Sequence, residues 1–259
     1  MSRIICIANQ KGGVGKTTTA VNLSASLAAA EKSVLLIDCD PQGNATSGLG
    51  IPKEKLQRHL YHLLIGQADP AEVTVSTRLP HLHLIPSQSD LIGVEVELIS
   101  APSRETFLKT KISTIASSYD YILIDCPPSL GLLTINALTA ANSVLIPIQC
   151  EYYALEGLSN LLRTIKTVKQ RYNSFLTIEG ILMTMFDARN NLSHQILQEV
   201  DSHFPKDRLQ TIIPRNVRLS ESPSHGLPVL LYDINSTGAR SYLMLAREIM
   251  GNGTHHAQK

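Results

Sequence analysis

Lys11, Gly12, Gly13, Val14, Gly15, Lys16, Thr17 and Thr18 follow one another without interruption. Glycine, lysine and hydroxyl side chains in one short run suit a phosphorylated ligand. Glycines permit the dihedrals and the close approach by which consecutive backbone N–H groups wrap an anion. Lys16 stands where a lysine reaches β- and γ-phosphates, and Thr17 where a hydroxyl ligates Mg²⁺. A helix opening at Lys16 adds its positive N-terminal end to the same anion. The usual loop has glycine five residues before Gly15, but Gln10 stands there, so this one is a variant. It also carries an additional lysine, Lys11, which on its own reads as a solvated loop residue.

Two carboxylate segments follow apolar runs. Asp38-Cys39-Asp40-Pro41 comes after Val34–Ile37, and Asp125-Cys126-Pro127-Pro128 comes after Tyr121–Ile124. A carboxylate at a strand end near phosphates holds Mg²⁺ or orients a water for in-line attack. Asp40 fits the second task, and Asp125 fits metal contact, direct or through a bound water. Asp38 either supports Asp40 or caps its strand.

These residues need a scaffold that brings strand ends together. Ile4–Ala8, Val34–Ile37, Leu82–Ile85, Tyr121–Ile124, Val144–Ile148 and Ile178–Met185 are near-continuous apolar runs, as expected of strands covered on both faces. Helical patterns lie between them, from about Lys16 to Ala30 and over Ser103–Ala116, Thr134–Ala141, Leu192–His203 and Thr237–Met250. The cleanest has Leu155, Leu158, Leu162, Ile165 and Val168 on one stripe. The alternation predicts an α/β fold, a mostly parallel twisted sheet with helices on both faces and ligands beyond the carboxyl ends of the strands. With no Pro/Gly/Ser-rich linker, residues 1–259 read as one domain whose last roughly eight residues form a flexible tail.

Composition narrows the function further. A hydrophobic content of 43% supports a large core, and a formal net charge of +1 means that any nucleic-acid contact must come from a local patch. Cys6, Cys39, Cys126 and Cys150 lack zinc or disulfide spacing and read as small buried hydrophobes in a reducing compartment. No apolar run is long enough for a membrane span, and the N-terminus is too short for a signal peptide.

The string Lys-Gly-Gly-Val-Gly-Lys-Thr-Thr resembles the deviant Walker A motif of the ParA/MinD group of P-loop NTPases. The resemblance extends to Asp38–Asn44 as a first switch and to Asp125 with Pro127-Pro128-Ser129 as a Walker B and second switch. It continues through Pro147–Gly157 and Ile213-Pro214-Arg215-Asn216, and is closest to the small chromosomal ParA, or Soj, type. It implies a slow, partner-stimulated ATPase with ATP and Mg²⁺ as cofactors. Lys11 would reach across a homodimer interface to the partner's nucleotide in the manner of an arginine finger. Asp40 would be needed for hydrolysis, Glu151 would approach the partner's nucleotide, and Pro214, Arg215 and Asn216 would frame the adenine. Arg189 and Arg218 match positions that contact double-stranded DNA without sequence preference, and a ParB-type protein would be the partner in a cytoplasmic, nucleoid-associated cycle. Arg163, Lys166, Lys169 and Arg171 form a second basic set, which reads first as a solvated helix face.

Three other readings compete. A MinD-like cell-division ATPase needs a membrane-binding amphipathic C-terminus, and Gly251-Asn252-Gly253 with no basic/apolar stripe argues against one. A reductase like the nitrogenase iron protein needs cluster-binding cysteines at a subunit interface, which the present spacing does not supply. A non-enzymatic scaffold leaves Lys16, Thr17, Asp40 and Asp125 unexplained.

Overall fold

The computed structural model describes residues 2–151 and 154–256. Among the described residues one sheet contains β1 (Arg3–Ile7), β2 (Val34–Asp38), β3 (Val75–Ser76), β4 (Leu82–Ile85), β5 (Tyr121–Asp125), β6 (Ser143–Gln149), β7 (Thr177–Phe186) and β8 (Arg208–Pro214). Their spatial order is β3-β4-β2-β5-β1-β6-β7-β8, parallel throughout except for the antiparallel β3–β4 edge.

Successive side chains of a strand enter opposite layers, and here both layers are apolar. Ile5 and Ile7 pack into the layer of the Lys16–Ala29 and Thr237–His256 helices. Cys6 and Ala8 point into the other layer, with Leu133 and Ala137 of Leu132–Ala140, Leu158 and Leu161 of Ala154–Arg171, and Ile196 of Asn191–His203. Two-sided burial explains why the strands lack polar alternation. The four cysteines are free and buried, as their sequence context predicts.

Several elements differ from the sequence expectation, among them the short edge strand β3, which it did not include. The helix over Ser103–Ala116 breaks into a 3₁₀ turn at Arg104–Thr106, a helix at Phe107–Ser113 and another 3₁₀ turn at Ala116–Ser118. Hydroxyl side chains recur in this segment. Thr106, Thr110, Ser113 and Thr114 each donate back to a carbonyl three or four residues earlier, which competes with regular helix. β8 was hidden because Gln210 and Thr211 interrupt its apolar residues. The C-terminal helix continues to His256, into the expected tail, and residues 257–259 lie outside the described residues.

β1 has β5 on one side and β6 on the other. The chain leaves β1 towards β2 and later crosses from β5 to β6, so its direction of winding reverses at β1. Such a reversal opens a crevice at the carboxyl ends of the strands, where Lys11–Thr18, Asp40 and the residues after Asp125 all fall.

Candidate nucleotide site

The loop after β1 is held from two other strands. Buried Asn9 donates from Nδ2 to the Pro147 carbonyl of β6 at 2.7 Å and accepts from the Lys11 amide at 3.1 Å, which fixes the loop's first turn. Thr184 of β7, also buried, donates from Oγ1 to the Val14 carbonyl at 2.8 Å. Between these ties Gly13 and Gly15 adopt φ values of +74° and +87°, which L side chains rarely enter. The Thr19 amide then bonds the Gly15 carbonyl at 2.8 Å, and the helix begins. Its first side chain, Lys16, curls back so that the ammonium donates to the Lys11 carbonyl at 2.9 Å. Burial pulls the Lys16 pKa below the ordinary lysine range, while the Asp125 and Asp40 charges act in the opposite direction.

Asp40 opens a tight turn. Its carbonyl accepts from the Gly43 amide at 2.8 Å and its Oδ1 from the Gln42 amide at 2.9 Å, with Pro41 in the position that presets the turn. Gly43 has φ +61°, and a Cβ there would lie 2.7 Å from the Ser87 carbonyl oxygen. Asp38 supports this turn from below. Its Oδ2 accepts from the Thr46 amide at 2.8 Å and the Thr46 hydroxyl at 2.7 Å, and its Oδ1 accepts from the Asp40 amide at 3.2 Å. Burial raises the Asp38 pKa to about 6, although the Thr46 bonds pull it down. Asp38 therefore anchors the segment that carries Asp40, the first of the two roles open to it.

Asp125 is the register partner of Asp38 on the adjacent parallel strand. It is fully buried, and neither carboxylate oxygen has a hydrogen-bond partner among the described residues. Burial and then the Asp38 charge hold its pKa well above the usual carboxylate range, against the Thr17 hydroxyl and the Lys16 ammonium. A buried carboxylate without partners is costly unless something positive completes it. Asp125 and Thr17 supply hard oxygen donors, which suit Mg²⁺ bound by few protein ligands, with phosphate and water filling the rest. Consistent with so sparse a donor set, the described residues contain no cluster of three or more His, Cys, Asp or Glu that could hold a metal by itself.

The cleft above these groups has a volume of about 850 Å³. Its lining includes Gly12, Gly13, Gly15, Lys16, Thr17, Thr18 and Asp40, with Thr184 against Gly15, and also Met185, Pro214, Arg215 and Asn216. The Asn216 amide donates to Thr237 Oγ1 at 2.7 Å, while its buried Oδ1 has no hydrogen-bond partner among the described residues. Val14 is buried behind the loop. Glu151 does not line the cleft and is instead ion-paired with Lys11. Tyr152 and Tyr153, beside it in sequence, lie outside the described residues.

The two arginines matched to DNA contacts lie on segments that leave this cleft. Arg189 is held by Asp187 through Nε–Oδ1 at 3.0 Å and Nη2–Oδ2 at 2.9 Å, yet its side chain is 90% exposed. Arg218 bonds Glu221 at 2.8 Å and lies 3.2 Å from Asp233. Arg163, Lys166, Lys169 and Arg171 are exposed on the outer face of their helix, with no ion pair among the described residues. Asn9, Thr46 and Thr184 were not singled out from sequence. Asn9 and Thr184 carry one signal, a polar residue inside or just after an apolar strand, whereas Thr46, in the short helix Asn44–Gly48, carries none.

A protein-family model described as AAA domain matches residues 2–178. The chain is 57% identical over 254 residues to the chromosome partitioning protein ParA of Myxococcus xanthus, covering 98% of this chain and 90% of that protein. It is 56% identical over 253 residues to the sporulation initiation inhibitor protein Soj of Bacillus subtilis, covering 98% and 100%. Among solved structures it resembles cobyrinic acid a,c-diamide synthase from Mycobacterium smegmatis with bound ADP and magnesium, at 37% identity and TM-score 0.84, covering 95% and 93%. With more than half of the residues identical to the Myxococcus xanthus and Bacillus subtilis proteins over nearly the whole chain, this chain belongs to the ParA/Soj family of chromosome-partitioning ATPases.

Proposed function

We propose that this protein is an ATP-driven switch that dimerises around bound nucleotide, binds duplex DNA without sequence preference while so loaded, and releases it on hydrolysis. The observation that carries the reading is that Lys16, Thr17 and Asp40 line the same cleft, with the buried Asp125 carboxylate next to Thr17 and Lys16. Lys16 meets β- and γ-phosphate charge, backbone amides of Gly12–Thr18 surround the phosphates, and Asp40 orients the attacking water. Thr17 and Asp125 would hold Mg²⁺, which would supply positive charge to the phosphate oxygens. Pro214, Arg215 and Asn216 take the adenine end.

Lys11 supports the dimer. Its side chain is one-third exposed beside the loop, so a second copy approaching the cleft meets it directly. In that arrangement Lys11 serves the partner's nucleotide and Glu151 lies against it. Pairing two copies joins two weak phosphate-binding surfaces, each with Arg189 and Arg218, into one stronger surface. Loss of the γ-phosphate releases the switch segments and opens the dimer. By likeness to its relatives, the protein acts with a ParB-type partner in segregating chromosome or plasmid DNA, at the nucleoid. Among the described residues no helix is long and apolar enough to cross a membrane.

The test is Lys16→Ala, which should abolish nucleotide binding or hydrolysis, together with salt titrations of two unrelated duplexes. Arg189→Ala or Arg218→Ala should weaken both duplexes equally and flatten the salt slope by about one unit per lost phosphate contact. Normal turnover in the lysine variant would remove the nucleotide assignment, and a wild type that binds neither duplex would remove the DNA assignment.

A further inference from the structure

We propose that the DNA-facing arginines are self-masked: Asp187 and the Glu221–Asp233 pair occupy the guanidinium edges that a DNA phosphate would take, so duplex binding exchanges a carboxylate for a phosphate. The inference rests on the reading that Arg189 and Arg218 meet DNA, and it adds how that surface is kept weak. Asp187 meets Arg189 fork to fork, at 3.0 and 2.9 Å, and its Oδ1 also accepts the Arg189 amide at 3.0 Å. Arg218 directs Nη1 to Glu221 at 2.8 Å and Nε to Asp233 at 3.2 Å. These carboxylates are themselves anchored, Glu221 by the Tyr232 hydroxyl at 3.2 Å and Asp233 by the Asn235 amide at 3.1 Å. Carboxylate and phosphate both offer two oxygens to a planar guanidinium, so the two ligands compete for one geometry.

The masks are weak by construction. Both arginines are solvent-exposed, at 90% and 49%, so water and salt screen each pair. A weak mask is the useful kind: one subunit's surface is too poor to hold DNA, whereas the doubled surface of a dimer outcompetes its own carboxylates. Each mask also lies close to the nucleotide cleft, because Met185 and Val217 line that cleft two residues before Asp187 and one before Arg218.

The experiment measures duplex binding by fluorescence anisotropy, with and without ATP, for wild type, Asp187→Asn, Glu221→Gln and the double variant. Glu199→Gln is the control, an exposed carboxylate with no cation partner among the described residues that undergoes the same change in charge. Each unmasking variant should bind about two- to fivefold more tightly than the control, the range expected from an exposed ion pair. The double variant should bind detectably without ATP. Should Asp187→Asn fail to fold, Glu221→Gln tests the same relation at the other arginine. If the unmasking variants match the control or bind more weakly while Arg189→Ala still loses affinity, the carboxylates position the arginines and the masking proposal is overturned. If wild type and Arg189→Ala bind no duplex in any state, the DNA reading itself fails, and masking fails with it.

Discussion

Lys11 and Glu151 form an ion pair within one chain, across 140 residues of sequence, and the pair stands outside the nucleotide cleft. Both side chains are partly exposed, so the pair contributes little to stability. It can therefore open when a second copy approaches. Lys11→Ala should lower the melting temperature by less than about 3 °C, the shift expected from an exposed pair in a chain of this size. The same variant should bind ATP and fail to form the ATP-dependent dimer in sedimentation velocity. A normal dimer would show that Lys11 serves no partner.

Asp40 faces the cleft from a turn that its own carboxylate helps to close. Asp40→Ala keeps the Asp40 carbonyl bond from the Gly43 amide and so should retain the turn, while losing the carboxylate proposed to position water. The variant should bind ATP, hydrolyse it at least about tenfold more slowly, as expected on removing a group that acts in the transition state, and accumulate as dimer on size exclusion with ATP and Mg²⁺. Ordinary turnover by a monomer would mean that the water is oriented elsewhere.

Thr184 contributes the hydroxyl that satisfies the Val14 carbonyl, directly beneath the left-handed Gly15. Thr184→Val preserves shape and leaves a buried acceptor unpaired, at a cost of about 1–3 kcal/mol. If that cost falls on the loop's bound conformation, ATP affinity drops by roughly tenfold. Thr184→Ser restores the donor and should restore affinity in an isothermal titration. Equal affinity in the valine and serine variants would show that the hydroxyl does not hold the loop.

Gly12 has nothing within 4 Å of where a Cβ would stand, so a side chain there meets open space rather than the protein. Gly12→Val should fold and bind ATP, because the cradle at Gly15 and Lys16 is untouched, yet block the approach of a second copy. Light scattering with ATP and Mg²⁺ should report a monomer, with duplex binding reduced accordingly. Gly43→Ala is the contrasting case: its φ of +61° and the Ser87 carbonyl at 2.7 Å from the new methyl should distort the first switch and slow hydrolysis.

The chemistry of the cleft was legible in sequence because its residues are adjacent in sequence. Gly12–Thr18 form one uninterrupted run, and a carboxylate that ends an apolar run falls at a strand end. The strands themselves were legible for a related reason: two-sided burial leaves runs such as Val34–Ile37 and Tyr121–Ile124 without polar residues. Less could be read where burial was one-sided, as in β8, or where hydroxyls bond back to backbone carbonyls, as over Ser103–Ala116.

By itself, then, the sequence determined the family and a parallel α/β scaffold, and it singled out a glycine-lysine loop and two carboxylate segments at strand ends. Only the tertiary structure decided which distant side chains support them. Asp38 lies beside Asp125 because β2 and β5 are neighbours in one register, although 87 positions separate them. Thr184 reaches Val14, Asn9 reaches Pro147, and Lys11 pairs with Glu151 because winding reverses at β1 and brings β6 and β7 alongside the loop. Local composition determines what a segment can bind, whereas pairs between crossover-linked strands depend on register, which no single segment contains.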